Sequence, residues 1–329
     1  MSSLLAAAVW LIIASFRGWP VSTTHTVIGA VIGFGLICVG LDNINWNKII
    51  YIIMSWLVSP ALSGLLAYVL FNFVKKSIFE DPKPAKKAKN TVPYYVFVVV
   101  SIILSVVLFQ GLIPLGIKLD NFFAIFLTVA GSLIASIISY FILKAIDLHK
   151  AKKSLKESYI LVEKVFGVLA VFTACAMAFA HGSNDVANAI APLVAISSIV
   201  KTQSMDIANI MIPYWIIILG AVGIVLGLVM YGYKVIETIG SNITYLTPSR
   251  GFVAQLVTAT VVVISSGIGI PVSTTHILVG AVLGVGMAGG IDAINLRVVR
   301  NIFLSWFITF PIGLVLSVIF FKLINIFLY

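Results

Sequence analysis

Apolar runs of about 20 residues recur along most of this chain, each long enough to cross a hydrocarbon core of about 30 Å. Six read as full crossings, at roughly 46–74, 93–117, 121–146, 158–200, 208–233 and 300–328. None shows the alternation over about ten residues that marks a transmembrane β-strand. The run 158–200 is long for one span and contains His181-Gly182-Ser183-Asn184-Asp185, which predicts a broken crossing. Two further stretches, roughly 3–40 and 251–291, each hold an apolar arm, a polar interruption and a second apolar arm. Arms of about 15 residues are short for independent spans. They predict re-entrant helical hairpins, whose irregular tips are tolerated only when buried in protein or lining a cavity.

The interruption is the same in both stretches. Pro20-Val21-Ser22-Thr23-Thr24-His25 repeats as Pro271-Val272-Ser273-Thr274-Thr275-His276. Each copy follows a glycine-containing entry and leads into a small-residue helix pattern, from Gly29 through Gly33 and from Gly280 through Gly284. A six-residue identity with matching flanks marks a duplicated unit. The expected organisation is a first inverted repeat over 1–74, a basic cytoplasmic linker over 75–92, connecting transmembrane helices over 93–157 and a second inverted repeat over 158–329. Lysines set the orientation: the 75–92 and 144–157 loops are lysine-rich and therefore cytoplasmic. Five crossings then separate the hairpins, so the first enters from outside and the second from inside, the arrangement of an alternating-access transporter. The fold class is all-α, polytopic and membrane-embedded.

Composition removes the competing classes. The 329 residues are 61% hydrophobic and only 10% charged, with a mean hydropathy of +1.15; soluble domains carry about 25% charged residues. The net charge of +10 is confined to loops, which reads as a topology signal and not as a nucleic-acid surface. Cys38 and Cys175 lie in apolar sequence without metal-ligand spacing and read as packing residues.

Ser22, Thr23 and Thr24, with Ser273, Thr274 and Thr275, follow a proline and precede a helical run, which is N-cap chemistry. Two such helix starts meeting near the midplane would aim hydroxyls and free N–H groups at one tetrahedral oxyanion. The plainer alternative is that each run only caps its own helix. His25 and His276 follow the hydroxyls, but no acidic residue stands in either hairpin to complete a catalytic triad; a gating or structural role is expected. Asp185 is the one acidic residue set deep within an apolar crossing, and such a carboxylate is a functional candidate by default. Asn188 shares its helical face, and Asn184 stands beside it. With carbonyls exposed at a Gly182 break, they would form an all-oxygen cation site suited to Na⁺. The apolar arms hold almost no Lys or Arg, and Arg17 stands alone at one entry. A bound oxyanion would need cations beside it, which points to anion–cation symport.

These residues resemble the inorganic phosphate transporter (Pit) family, including its sodium-dependent members. The family's Gly-Ala-Asn-Asp-Val-Ala-Asn-Ala hallmark is similar to Gly182-Ser183-Asn184-Asp185-Val186-Ala187-Asn188-Ala189, and the paired Pro-Val-Ser-Thr-Thr-His elements are similar to its hairpins. The resemblance covers essentially the whole chain. It implies phosphate contact by Ser22, Thr23, Thr24, Ser273, Thr274 and Thr275, and sodium contact by Asp185 and Asn188. One departure stands out: the family carries two copies of the Asn-Asp-Val-Ala-Asn motif and this sequence shows one. Asp185 precedes Ser273 by 88 residues (273 − 185), and the same interval before Ser22 falls at −66 (22 − 88), ahead of Met1. The first repeat is therefore expected to be N-terminally incomplete, and with it one cation-binding element. The expected function is Na⁺-coupled phosphate transport in the cell membrane, without a further cofactor and with homo-oligomerisation possible through glycine-rich arms. The rival readings are proton-coupled phosphate or sulfate transport, a passive anion channel and an intramembrane Ser/His enzyme.

Overall fold

The computed structural model describes residues 1–111, 119–145, 154–202, 212–290 and 294–328, and among these the chain is helical with no strand. Two helix–turn–helix hairpins organise it. The first is α1 (Ser2–Phe16) followed by α2 (Thr23–Cys38), and the second is α9 (Pro248–Ile268) followed by α10 (Thr274–Ala288). Between them run α3 (Trp46–Val74), α4 (Pro84–Val106), α5 (Asn121–Ala145), α6 (Leu155–Thr202) and α7 (Tyr214–Gly227), the last continuing through a short α8 (Tyr233–Glu237). The chain closes with α11 (Leu296–Leu328). Among the described residues, seven helical segments are long and apolar enough to cross a membrane.

Three hairpin arms are 15 or 16 residues, as the sequence predicts, but α9 has 21. That length reaches a full crossing because α9 starts earlier than the apolar pattern suggests. Pro248 occupies the first helical turn, and Thr247 caps it by accepting from the Arg250 N–H, a start that proline's fixed φ favours.

The break expected at His181–Asp185 is absent: α6 is one helix of 48 residues. One glycine costs about 1 kcal/mol in a helix interior, too little to interrupt sequence this rich in alanine and valine. Ser183 turns its hydroxyl back onto the Ala180 carbonyl at 2.9 Å. No carbonyls are released at Gly182, so that part of the expected cation site does not form.

The basic linker expected over 75–92 is largely helical. Lys75–Phe79 continues α3 as a π-helical turn, and α4 resumes at Pro84. Pro84 sits at N1, and Ala85 and Ala88 are buried, so this lysine-rich stretch has a packing face after all. The crossing expected at 208–233 is observed as Tyr214–Asn242; its first residues, and the end of 93–117, lie outside the described residues.

The two halves interlock crosswise. α2 lies along α11, and α10 lies along α3. Repeated glycines permit the close approach: a Cβ on Gly33 would strike the Leu314 backbone, and one on Gly284 the Gly64 backbone. Small-xxx-small faces bring membrane helices together in this way. α5 and α7 instead present exposed apolar side chains such as Phe122, Phe126, Ile218 and Val222, the surface of lipid-facing helices.

Candidate functional site

The two hairpin turns are built alike. Gly18 (φ 68°) and Gly269 (φ 78°) take the left-handed conformation that ends the first arm, which glycine adopts without a Cβ clash. The second arm then starts with the same cap in both: the Ser22 hydroxyl accepts from the His25 N–H at 3.1 Å, and that of Ser273 from the His276 N–H at 3.3 Å. Both serines are buried. For these two residues the plain capping role is the observed one.

The threonines point elsewhere. Thr23 and Thr274, equivalent positions of the repeat, both donate to Asp185 Oδ2, at 3.2 and 3.4 Å. Asp185 is 6% exposed, and its carboxylate is shared by both hairpins. Its Oδ1 accepts from Asn184 at 3.0 Å and Asn188 at 3.5 Å. Asn188 also donates to the Thr24 hydroxyl at 3.0 Å, and Thr24 donates to the Val272 carbonyl at 3.2 Å, tying one tip to the other. Thr275 is half-buried, and its hydroxyl makes no hydrogen bond among the described residues. The hydroxyl tips and the acidic motif, 162 residues apart in sequence for Thr23 and Asp185, thus form one polar centre.

Several participants carried no assigned role in the sequence reading. His181 Nε2 lies 2.9 Å from Asp185 Oδ2, one helical turn away on α6; the i, i+4 spacing was the available signal. Trp56 stacks on His25 and Trp306 on His276, each with ring centroids 3.6 Å apart. The imidazoles themselves meet edge to face at 4.3 Å. Ser55-Trp56 and Ser305-Trp306 form a second short duplication that could have revealed this column. Neither imidazole reaches a serine hydroxyl; His25 and His276 bond Ser22 and Ser273 only through backbone N–H groups. Arg17 is not the lone cation at its turn. Lys234 donates to the Phe16 carbonyl at 3.1 Å, and Thr238 donates to the Gly18 carbonyl at 2.8 Å, fastening the first hairpin to the α7–α8 segment.

A polytopic helical membrane protein with two hydroxyl-tipped hairpins converging on one buried carboxylate has the layout of a membrane transporter. The profile of the phosphate transporter family matches residues 1–317, and the chain belongs to that family. It is 47% identical over 326 residues to a "Putative phosphate permease" of Haemophilus influenzae, covering 99% of this chain and 77% of the relative. A protein of the same description from Thermococcus kodakarensis is 38% identical, with 99% and 78% covered. Among solved structures, one titled "The sodium-dependent phosphate transporter" superposes with a TM-score of 0.87 at 36% identity, covering 99% of this chain and 78% of that one. The chain is thus a multi-pass protein of the cell membrane in a family of transporters, not enzymes.

Proposed function

We propose that this chain transports inorganic phosphate by Na⁺ symport, with the two hairpins as re-entrant elements of inverted repeats and the polar centre exposed alternately to each side. The observation that supports it best is the shared bonding of Thr23 and Thr274 to the single carboxylate of Asp185. In this arrangement Asp185 occupies the hydroxyls that would donate to a tetrahedral oxyanion. It holds the place of the anion and also repels it.

Na⁺ resolves both conflicts. Asp185, the amide oxygens of Asn184 and Asn188, the threonine hydroxyls and the Val272 carbonyl offer hard oxygen donors of the kind a small hard cation takes. A cation on Asp185 neutralises it and draws it from the hydroxyls, which are then free for phosphate. Ser22 and Ser273 contribute by starting α2 and α10, whose N-terminal N–H groups favour an anion. His25 and His276 hold the tips against Trp56 and Trp306.

Radiolabelled phosphate uptake into proteoliposomes, with Na⁺ and pH gradients imposed separately, tests this. Concentrative uptake is expected with the Na⁺ gradient. Uptake indifferent to Na⁺ refutes the coupling, and uptake that never exceeds equilibration indicates a channel. The His181–Asp185 contact favours proton coupling as a second reading, because it places a titratable imidazole on the carboxylate. Uptake driven by the pH gradient alone, and lost in His181→Gln, would establish that reading instead. Sulfate competition in the same vesicles separates the two tetrahedral anions.

A further inference from the structure

A cleft of about 470 Å³ lies apart from the polar centre, lined by Phe79, Lys156, Tyr159, Glu163, Lys164 and Gly167, with Pro248 at its edge. Most of its lining comes from one face of α6: positions 156, 159, 160, 163, 164 and 167 follow the i, i+3, i+4 spacing of a helical stripe. Phe79, in the π-helical turn after α3, stacks on Tyr159 with centroids 6.0 Å apart, and the Tyr159 hydroxyl donates to the Phe79 carbonyl. The walls are therefore aromatic and aliphatic, and the charges stand at the rim.

Those charges are unbalanced. Among the described residues the only ion pair is His181–Asp185, so neither Lys156 nor Lys164 pairs with a described carboxylate. Glu163 is already engaged: its two oxygens accept from the Ser249 N–H at 2.9 Å and the Ser249 hydroxyl at 2.8 Å, capping α9. The cleft also sits where apolar surface gives way to lysine. Exposed Val168, Val171 and Phe172 on α6 and Phe73 on α3 lie on its apolar side; Lys164, and Lys75 and Lys76 beyond Phe73, begin the basic side. Aromatic rings beside lysines at such a boundary are the side chains of a bilayer interface.

We propose that this cleft is a binding site for an anionic phospholipid, with the headgroup phosphate held by Lys156 and Lys164 and an acyl chain laid against Phe79, Ile160 and Gly167. A neutral lipid would leave the excess positive charge of the cleft, two lysines against the one carboxylate of Glu163, uncompensated. Gly167 matters because a Cβ there would face the Pro248 Cβ at 4.0 Å, so a larger side chain fills the floor. An occupied cleft braces α6 against the start of α9, the first arm of the second hairpin.

The test uses the full chain in lipid nanodiscs, with phosphatidylglycerol titrated into a phosphatidylcholine background and lipid retention read by native mass spectrometry. Two variants separate the contributions: K156Q/K164Q removes the charges, and Gly167→Leu occludes the floor with the charges kept. A juxtamembrane lysine contributes enough that losing two should weaken phosphatidylglycerol retention about thirtyfold. Gly167→Leu should weaken it as well, while Lys201→Gln, at the far end of α6, should leave it unchanged. Retention unchanged in both variants overturns the site. So does loss in K156Q/K164Q alone, which would reduce the effect to surface charge, and so does displacement by millimolar inorganic phosphate, which would make this a free-phosphate site.

Discussion

Replacing Asp185 with asparagine separates the two roles given to that side chain. The substitution keeps the shape and removes the charge. In the present arrangement Thr23 and Thr274 donate to Oδ2 at 3.2 and 3.4 Å, and under the proposed mechanism phosphate binding requires both bonds to be given up. A hydrogen bond to a charged group contributes about 1.5–3 kcal/mol. Both contacts are long, so the lower end applies, giving about 3 kcal/mol for the pair. At 1.4 kcal/mol per tenfold, Na⁺ that releases the hydroxyls should tighten phosphate binding on the order of 100-fold. By reciprocity, phosphate should tighten Na⁺ binding by the same factor. In Asp185→Asn no carboxylate competes for the hydroxyls or attracts the cation, so phosphate affinity should differ less than about threefold between Na⁺ and choline, below the usual range of coupling. Calorimetric titration of the purified protein in both salts measures this, with gel filtration confirming that the variant is monodisperse. An undiminished Na⁺ effect in Asp185→Asn would refute the reasoning, whatever happens to transport.

Gly284→Leu drives a side chain into the Gly64 backbone and should destabilise the α10–α3 contact by at least about 3 kcal/mol, the upper end for overpacking. Gly35→Ala, with nothing within 4 Å of the added Cβ, should melt normally in the same fluorescence assay. Trp306→Phe should be more damaging than Trp56→Phe by about 1 kcal/mol, because the Trp306 indole N–H donates to the Pro20 carbonyl at 2.8 Å while the buried Trp56 indole N–H has no partner among the described residues; equal melting shifts would contradict this. Glu163→Gln removes a negative charge from the start of α9 and should lower the melting temperature by about 1–3 °C, a shift that high salt should shrink.

The duplicated hexapeptide located both tips and their serine caps correctly, because capping is local chemistry that a short segment contains in full. Asp185 was legible for a different reason: a carboxylate inside an apolar run stands out without any knowledge of its partners. What stayed hidden depended on continuity and on distance. Reading Gly182-Ser183-Asn184 as a breaker severed His181 from Asp185, although an unbroken helix puts them one turn apart. The helical start at Pro84 was masked by lysines whose buried alanine face appears only once α6 is in place. Trp56 and Trp306 are apolar residues in apolar helices, and nothing local marks them as partners of the histidines. Their pairing is a property of the crosswise assembly.

The tips match in sequence but not in bonding, and the difference predicts which threonine serves which purpose. Thr24 is buried and sits between two partners, accepting from Asn188 and donating to the Val272 carbonyl. Thr24→Val would remove the shorter of two hydrogen bonds at both the Val272 carbonyl and the Asn188 amide, leaving each with one long contact of 3.5 Å, a loss of about 0.5–1.5 kcal/mol per bond, so its main effect should be on stability. The hydroxyl of Thr275, its counterpart, bonds nothing among the described residues, and Thr275→Val should change the melting temperature little. Its hydroxyl is then available to a ligand. Under the proposed mechanism Thr275→Val should weaken phosphate binding by about the worth of one hydrogen bond to a charged group, roughly 10-fold or more. Thermal melts and phosphate titrations on the two variants should therefore rank them in opposite order. Melting points and affinities that fall together in both would mean that these threonines are structural and that the anion is held elsewhere.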